Sequence, residues 1–146
     1  MADYPPLRDT VCHLVHRVDF LLNRENGQVL EPYGVTMYQA MSLIYVADHE
    51  GDHPVNQREI GRYTQLSNPG VTKLVSALER LGLLERHHDD ADGRNCILRT
   101  TPLGRERSAV FRRLLLESDE HLTSNLTKEE REQLTALLKK LYNKSV

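Results

Sequence analysis

The sequence predicts a mainly α-helical chain carrying one small β-hairpin, and three observations lead there. Apolar residues recur at intervals of three and four over most of the chain, helix-capping signatures recur from Thr36 to Thr127, and only residues 83–101 alternate in the two-residue rhythm of a hairpin.

The first helix is expected over residues 7–24, where Leu7, Val11, Leu14, Val15, Val18, Leu21 and Leu22 form one apolar stripe. Gly27, Pro32 and Gly34 then break the chain over residues 25–35. Thr36 and Gln39 read as a capping box opening a second helix through Met41, Leu43, Ile44 and Ala47. After a loop at Glu50, Gly51, Asp52 and Pro54, Asn56 caps a short helix bearing Ile60 and Tyr63. Gln65, Leu66 and Ser67 make a turn. Asn68 and Pro69 then fit the cap and first position of a helix that stops at Gly82, because proline loses nothing where the backbone N–H is an orphan anyway. Its inner stripe is Val71, Leu74, Val75 and Leu78, and its outer face Thr72, Lys73, Ser76 and Arg80. The hairpin strands flank a polar turn over residues 89–93. A long helix from Pro102 or Leu103 to about Glu120 follows, and Thr127 with Glu130 caps a last one bearing Leu134, Leu137, Leu138 and Leu141.

With 146 residues and 39% hydrophobic content, one domain over 1–146 is expected. No apolar run approaches the roughly 18 residues of a membrane span, and residues 1–9 lack the pattern of a secretion signal. Cys12 and Cys96 are therefore expected as reduced thiols in a cytoplasmic protein with no membrane partner. The net charge of −2 does not favour a polyanion partner, but its distribution is uneven. Residues 56–105 hold eight cations against six carboxylates, a local +2 that leaves −4 elsewhere.

Two short helices joined by a tight turn and followed by a hairpin make a winged helix-turn-helix, here flanked by N- and C-terminal helices. The second short helix offers a polar face of the width a major groove accepts. Asn68, Pro69, Thr72, Lys73 and Ser76 lie toward its N-terminal end, where side chains can reach base edges or phosphates and the helix dipole is positive.

The run NQREIGRYTQLSNPGVTKLVSALERLGLLERHHDDADGRNCILRTTPLGR, residues 56–105, resembles the DNA-binding core of the MarR family of transcriptional regulators. The resemblance rests on Val71 with Thr72, Leu78 with Glu79, Gly82, Glu85 with Arg86, Asp92 with Arg94, and Thr101 with Gly104. Thr100, where the family has an apolar residue, and Gly61, where alanine is common, depart from the pattern. Thr100 is expected to loosen the hairpin, and Gly61 to cost about 1 kcal/mol in a helix.

The resemblance implies a winged helix-turn-helix core at about 36–104, dimerisation helices at 7–24 and 103–143, and a homodimer on double-stranded DNA. It implies a repressor that binds a near-palindromic operator with effector-controlled affinity. Arg94 would enter the minor groove, Asp92 would hold the wing, and Arg86 joins the DNA-binding set. It further implies a small aromatic or phenolic effector between the dimerisation helices and the winged core, for which His16, Tyr38 and Met41 are the candidate lining. Cys12 stands about where the peroxide-sensing branch places its reactive cysteine, so a redox-sensing regulator stays open, as does a packed structural thiol. His13 and His16 share a helix face as ligand pairs do, yet the other helices supply no matching set; neither a metal nor a cofactor is expected. Two other classes stay open at this point: a winged-helix protein-interaction module, and an enzyme, although no nucleophile motif or phosphate loop supports one.

Overall fold

Capping side chains fix where most of the helices begin. In a computed structural model, which describes residues 4–88 and 95–145, the helices are α1 (Val11–Leu30), α2 (Met37–His49), α3 (Gln57–Thr64), α4 (Asn68–Arg80), α5 (Pro102–Leu122) and α6 (Lys128–Ser145). Thr10, Thr36, Asn56, Ser67 and Thr101 cap the first five, each side chain accepting a backbone N–H three residues on. The box at Thr36 is complete, since Gln39 returns a side-chain oxygen to the Thr36 N–H at 3.0 Å. Thr127 and Glu130 exchange the same pair of bonds before α6.

Two expectations are corrected and a third is extended. The first helix is displaced: Leu7–Asp9 is a separate single 3₁₀ turn, and α1 runs on through Gly27 to Leu30. Gly27 sits in the helix, and the burial of Asn26 and Leu30, one turn apart, offsets its cost. The break comes only at Pro32, in a 3₁₀ turn closed by Gly34 at φ 68°. Second, Ser67, not Asn68, is the cap of α4, which puts Asn68 and Pro69 in its first turn. Third, the hairpin belongs to a three-stranded antiparallel sheet. Strand β1 (Val55–Asn56) joins β2 (Leu84–His88) and β3 (Cys96–Thr100) in the order β1-β3-β2, with Val55 and Arg86 both opposite Leu98.

Thr100 is also other than expected. It is buried, its N–H donates to Glu50 Oε2 at 2.8 Å, and its hydroxyl donates to Glu50 Oε1. The hydroxyl is thus satisfied, and it fastens the hairpin to the end of α2.

The core lies where α2, α4, the sheet and α5 meet, around Leu43, Val46, Val75, Leu78, Leu98 and Phe111. Gly104, one turn into α5, presses on the backbone of Leu83: a Cβ there would lie 2.0 Å from the Leu83 carbonyl oxygen. By contrast, Val11, Leu14, Val15, Val18 and Leu21 of α1 and Leu134, Leu137, Leu138, Leu141 and Tyr142 of α6 are exposed. None of the described side chains of α6 is buried in the protomer. No helix among the described residues is long and apolar enough to cross a membrane.

Candidate nucleic-acid interface

Helix α4 follows α3 through a turn in which Gln65 takes the left-handed conformation at φ 59° and its N–H returns to Gly61. The inner stripe Val71, Leu74, Val75 and Leu78 is buried, as its spacing predicted. That burial turns Asn68, Pro69, Thr72 and Lys73 outward, and all four are exposed. They form one polar face at the N-terminal end of α4, where the helix dipole favours an anion. The Thr72 hydroxyl donates to the Asn68 carbonyl at 3.0 Å.

Behind this face lies a hydrogen-bonded brace. Arg86, in the middle of β2, donates from Nε to Glu79 at 2.5 Å, from Nη1 to Gln57 Oε1 at 3.0 Å and from Nη2 to Ser76 Oγ at 3.1 Å. One guanidinium thus joins the wing strand to both helices of the helix-turn-helix. The planar fork of arginine suits this, since its donors diverge at fixed angles; lysine would offer a single centre. Gln57 completes the link, its Nε2 donating to Thr72 Oγ1 at 3.3 Å. Ser76 is accordingly half-buried, with its hydroxyl on the brace, while Lys73 carries its charge into solvent.

The start of α3 is held from the other side. Tyr45 donates to Glu59 Oε1 at 2.7 Å, and His53 Nε2 lies 2.6 Å from the same oxygen. Tyr45 stacks on His49 at 4.1 Å between centroids and on Tyr63 at 4.5 Å. The bond to Glu59, then burial and the Glu59 charge, push the Tyr45 phenol up to about 12. Burial pushes the Glu59 carboxyl up, but the bonds from Tyr45 and His53 outweigh it and hold it below its ordinary value. Glu59 therefore acts as an ionised anchor between α2 and α3.

Asp92 and Arg94 lie outside the described residues. At the hairpin's described end, His87 Nε2 lies 3.1 Å from Glu85, and His88 is exposed. Tyr38 borders an open depression with Asn23, Gly27, Glu31 and Val35, but neither His16 nor Met41 lines it. His16 is exposed on α1 and Met41 half-buried on α2. Cys12 is exposed rather than packed in the protomer, and Cys96 is half-buried. Among the described residues no three His, Cys, Asp or Glu side chains gather as a metal would require.

Gln57 and Ser67 are among the residues that the sequence did not single out. Ser67 offers a visible signal, a serine three residues before Gly70 at a helix start, which the adjoining Asn-Pro pair overshadows. Gln57 offers none, because its partners stand 15 and 29 positions away.

The model of the MarR family matches residues 33–95. The HTH-type transcriptional regulator YwoH of Bacillus subtilis is 25% identical over 130 residues, covering 87% of this chain and 92% of its own. The chain is also similar to MepR of Staphylococcus aureus in its complex with DNA: TM-score 0.83 and 29% identity, over 92% of this chain and 98% of that one. Against MepR in its DNA-binding conformation the TM-score is 0.81, and against a further MepR structure 0.71.

Proposed function

We propose that the chain is a regulator of the MarR family, whose model matches residues 33–95, and that it regulates transcription as a homodimer that binds a near-palindromic operator and represses from it. The carrying observation is the exposed N-terminal face of α4, braced to the wing strand by Arg86, in a chain whose backbone is closer to MepR on DNA than to another structure of MepR. Asn68, Pro69 and Thr72 would meet base edges in the major groove and Lys73 a phosphate. Arg94 at the wing would enter the minor groove, where a narrow groove concentrates negative potential, with Asp92 holding the wing. Arg86 and Ser76 serve the same surface from behind, fixing its geometry.

The homodimer is supported by the apolar residues that α1 and α6 leave exposed, since most of a helix's stability in a folded protein comes from packing its apolar face. A two-fold dimer would set its recognition helices roughly 34 Å apart, one DNA turn. An effector, a small aromatic or phenolic molecule, would act by favouring dimers with another separation. Such a regulator works in the cytoplasm and needs no catalysis.

Fluorescence anisotropy on short duplexes over a range of salt tests this reading. Binding should weaken steeply with salt, as counterion release requires. Lys73→Ala should reduce the salt slope by about one, and Arg94→Ala should cost at least tenfold in affinity. Salt-independent binding, or binding indifferent to both variants, would favour a protein-interaction module instead.

A further inference from the structure

We propose that Asn68, at the head of the recognition helix α4, selects adenine in the major groove through a two-point contact of its side-chain amide. The inference rests on the DNA-binding reading above and deepens it. Two neighbouring residues divide the work at this helix end. Were Asn68 the cap of α4, its amide oxygen would be spent on a backbone N–H of the first turn. Ser67 takes that role instead, its hydroxyl accepting from the Gly70 N–H at 3.3 Å. Asn68 is exposed, and the Thr72 hydroxyl is held on its backbone carbonyl at 3.0 Å, not on its side chain. Among the described residues the amide of Asn68 has no hydrogen-bond partner.

The place suits a short side chain. Asn68 stands in the first turn of α4, the end that meets base edges, and its neighbours Ser67, Pro69 and Gly70 carry nothing longer than it does. No long side chain of that turn therefore holds the helix end away from the bases, and Lys73, just over a turn further on, is exposed where a phosphate can fix the register. An amide offers an acceptor and a donor group side by side. Adenine matches both in the major groove, with N6 donating to Oδ1 while N7 accepts from Nδ2. Guanine presents two acceptors there and leaves Oδ1 without a donor; cytosine presents only a donor and thymine only an acceptor. A polar group left unpaired on entering an interface costs its desolvation. Adenine is thus the base that satisfies both ends of the side chain.

The wild type, Asn68→Ala and Asn68→Asp would each be used to select from a library of randomised duplexes, with relative affinities then measured for the four bases at each enriched position. The wild type should favour adenine at one symmetric pair of positions by about tenfold, the size of a base-edge contact. Asn68→Ala should level the four bases at that pair and leave the other positions as they were. Asn68→Asp, whose carboxylate can only accept, should move the preference there to cytosine, which presents the N4 donor without the N7 acceptor of adenine beside it. Thermal midpoints distinguish a base reader from a cap: Asn68→Ala should melt with the wild type, whereas Ser67→Ala should melt lower. Wild-type base ratios in Asn68→Ala, whether or not its affinity falls uniformly, or a loss of midpoint equal to that of Ser67→Ala, overturns the inference while leaving the DNA reading intact. No enrichment by the wild type overturns the DNA reading itself, and the inference with it.

Discussion

Replacing Gly104 by alanine should destabilise the protein by about 2–3 kcal/mol, and the structure says where that arises. The added Cβ would lie 2.0 Å from the carbonyl oxygen and 2.9 Å from the carbonyl carbon of Leu83, both backbone atoms that cannot swing aside. A carbon and an oxygen rest at about 3.3 Å or more, so the first turn of α5 must retreat by about 1.3 Å. The retreat pulls on the Thr101 N–H, which donates to Leu83 O at 3.1 Å, and on the Thr101 hydroxyl, which donates to Gly82 O at 2.6 Å while accepting from Gly104 N at 2.9 Å. Loss of two such bonds costs about 1–3 kcal/mol and overpacking about 1–3 kcal/mol, against about 1 kcal/mol gained because alanine is the better helix former. Urea unfolding at one fixed protein concentration is the assay, so that any self-association contributes equally to both proteins. With a slope of about 2 kcal/mol/M, the midpoint should fall by about 1 M or more. A midpoint within about 0.2 M of wild type would refute the reasoning, since it would mean that α5 does not rest on Leu83.

Gly61→Ala should do the opposite: its Cβ would meet Val71 Cγ2 at 3.6 Å and Leu66 O at 3.9 Å, ordinary contacts. A gain of about 0.5–1 kcal/mol is expected, read as a raised urea midpoint. Thr100→Val, although it restores an apolar residue, should cost about 1–2 kcal/mol by taking the hydroxyl from Glu50; equal or greater stability would contradict the assigned bond. A spectrophotometric titration should show a phenol ionising at about 12, absent in Tyr45→Phe. The raised value means that Tyr45 contributes stability below its unfolded value of about 10, lost as pH rises through 12. Glu59 has the opposite sign: its lowered value contributes stability above about pH 4.3, lost on acidification, so Glu59→Gln should flatten the acid limb of unfolding.

Much of this was legible because local chemistry and burial agreed. The capping side chains at Thr36, Asn56 and Thr127 lie next to the N–H groups they serve, so a four-residue window contains the whole interaction. The stripe of α4 could be read because its spacing of three and four has one partner, the core. Gly27 misled because the burial of Asn26 and Leu30, which keeps α1 helical past it, depends on elements far along the chain. Strand β1 is two residues long, too short to alternate, and exists only through its pairing with β3. The same distance hides the brace: Arg86 is visible as a motif arginine, but its grip on Gln57, Ser76 and Glu79 comes from the packing of β2 on the helix pair. The exposed face of α4 could therefore be named from sequence, whereas what orients it could not.

The most direct test of the central claim is the stoichiometry and sequence of what the wild-type protein retains from a library of randomised short duplexes, with Arg94→Ala as the control. Two chains per duplex are expected, on a two-fold symmetric sequence whose half-site centres lie about 10 base pairs apart, with enrichment lost in the variant. Retention of no particular sequence, or the same enrichment by Arg94→Ala, would contradict it.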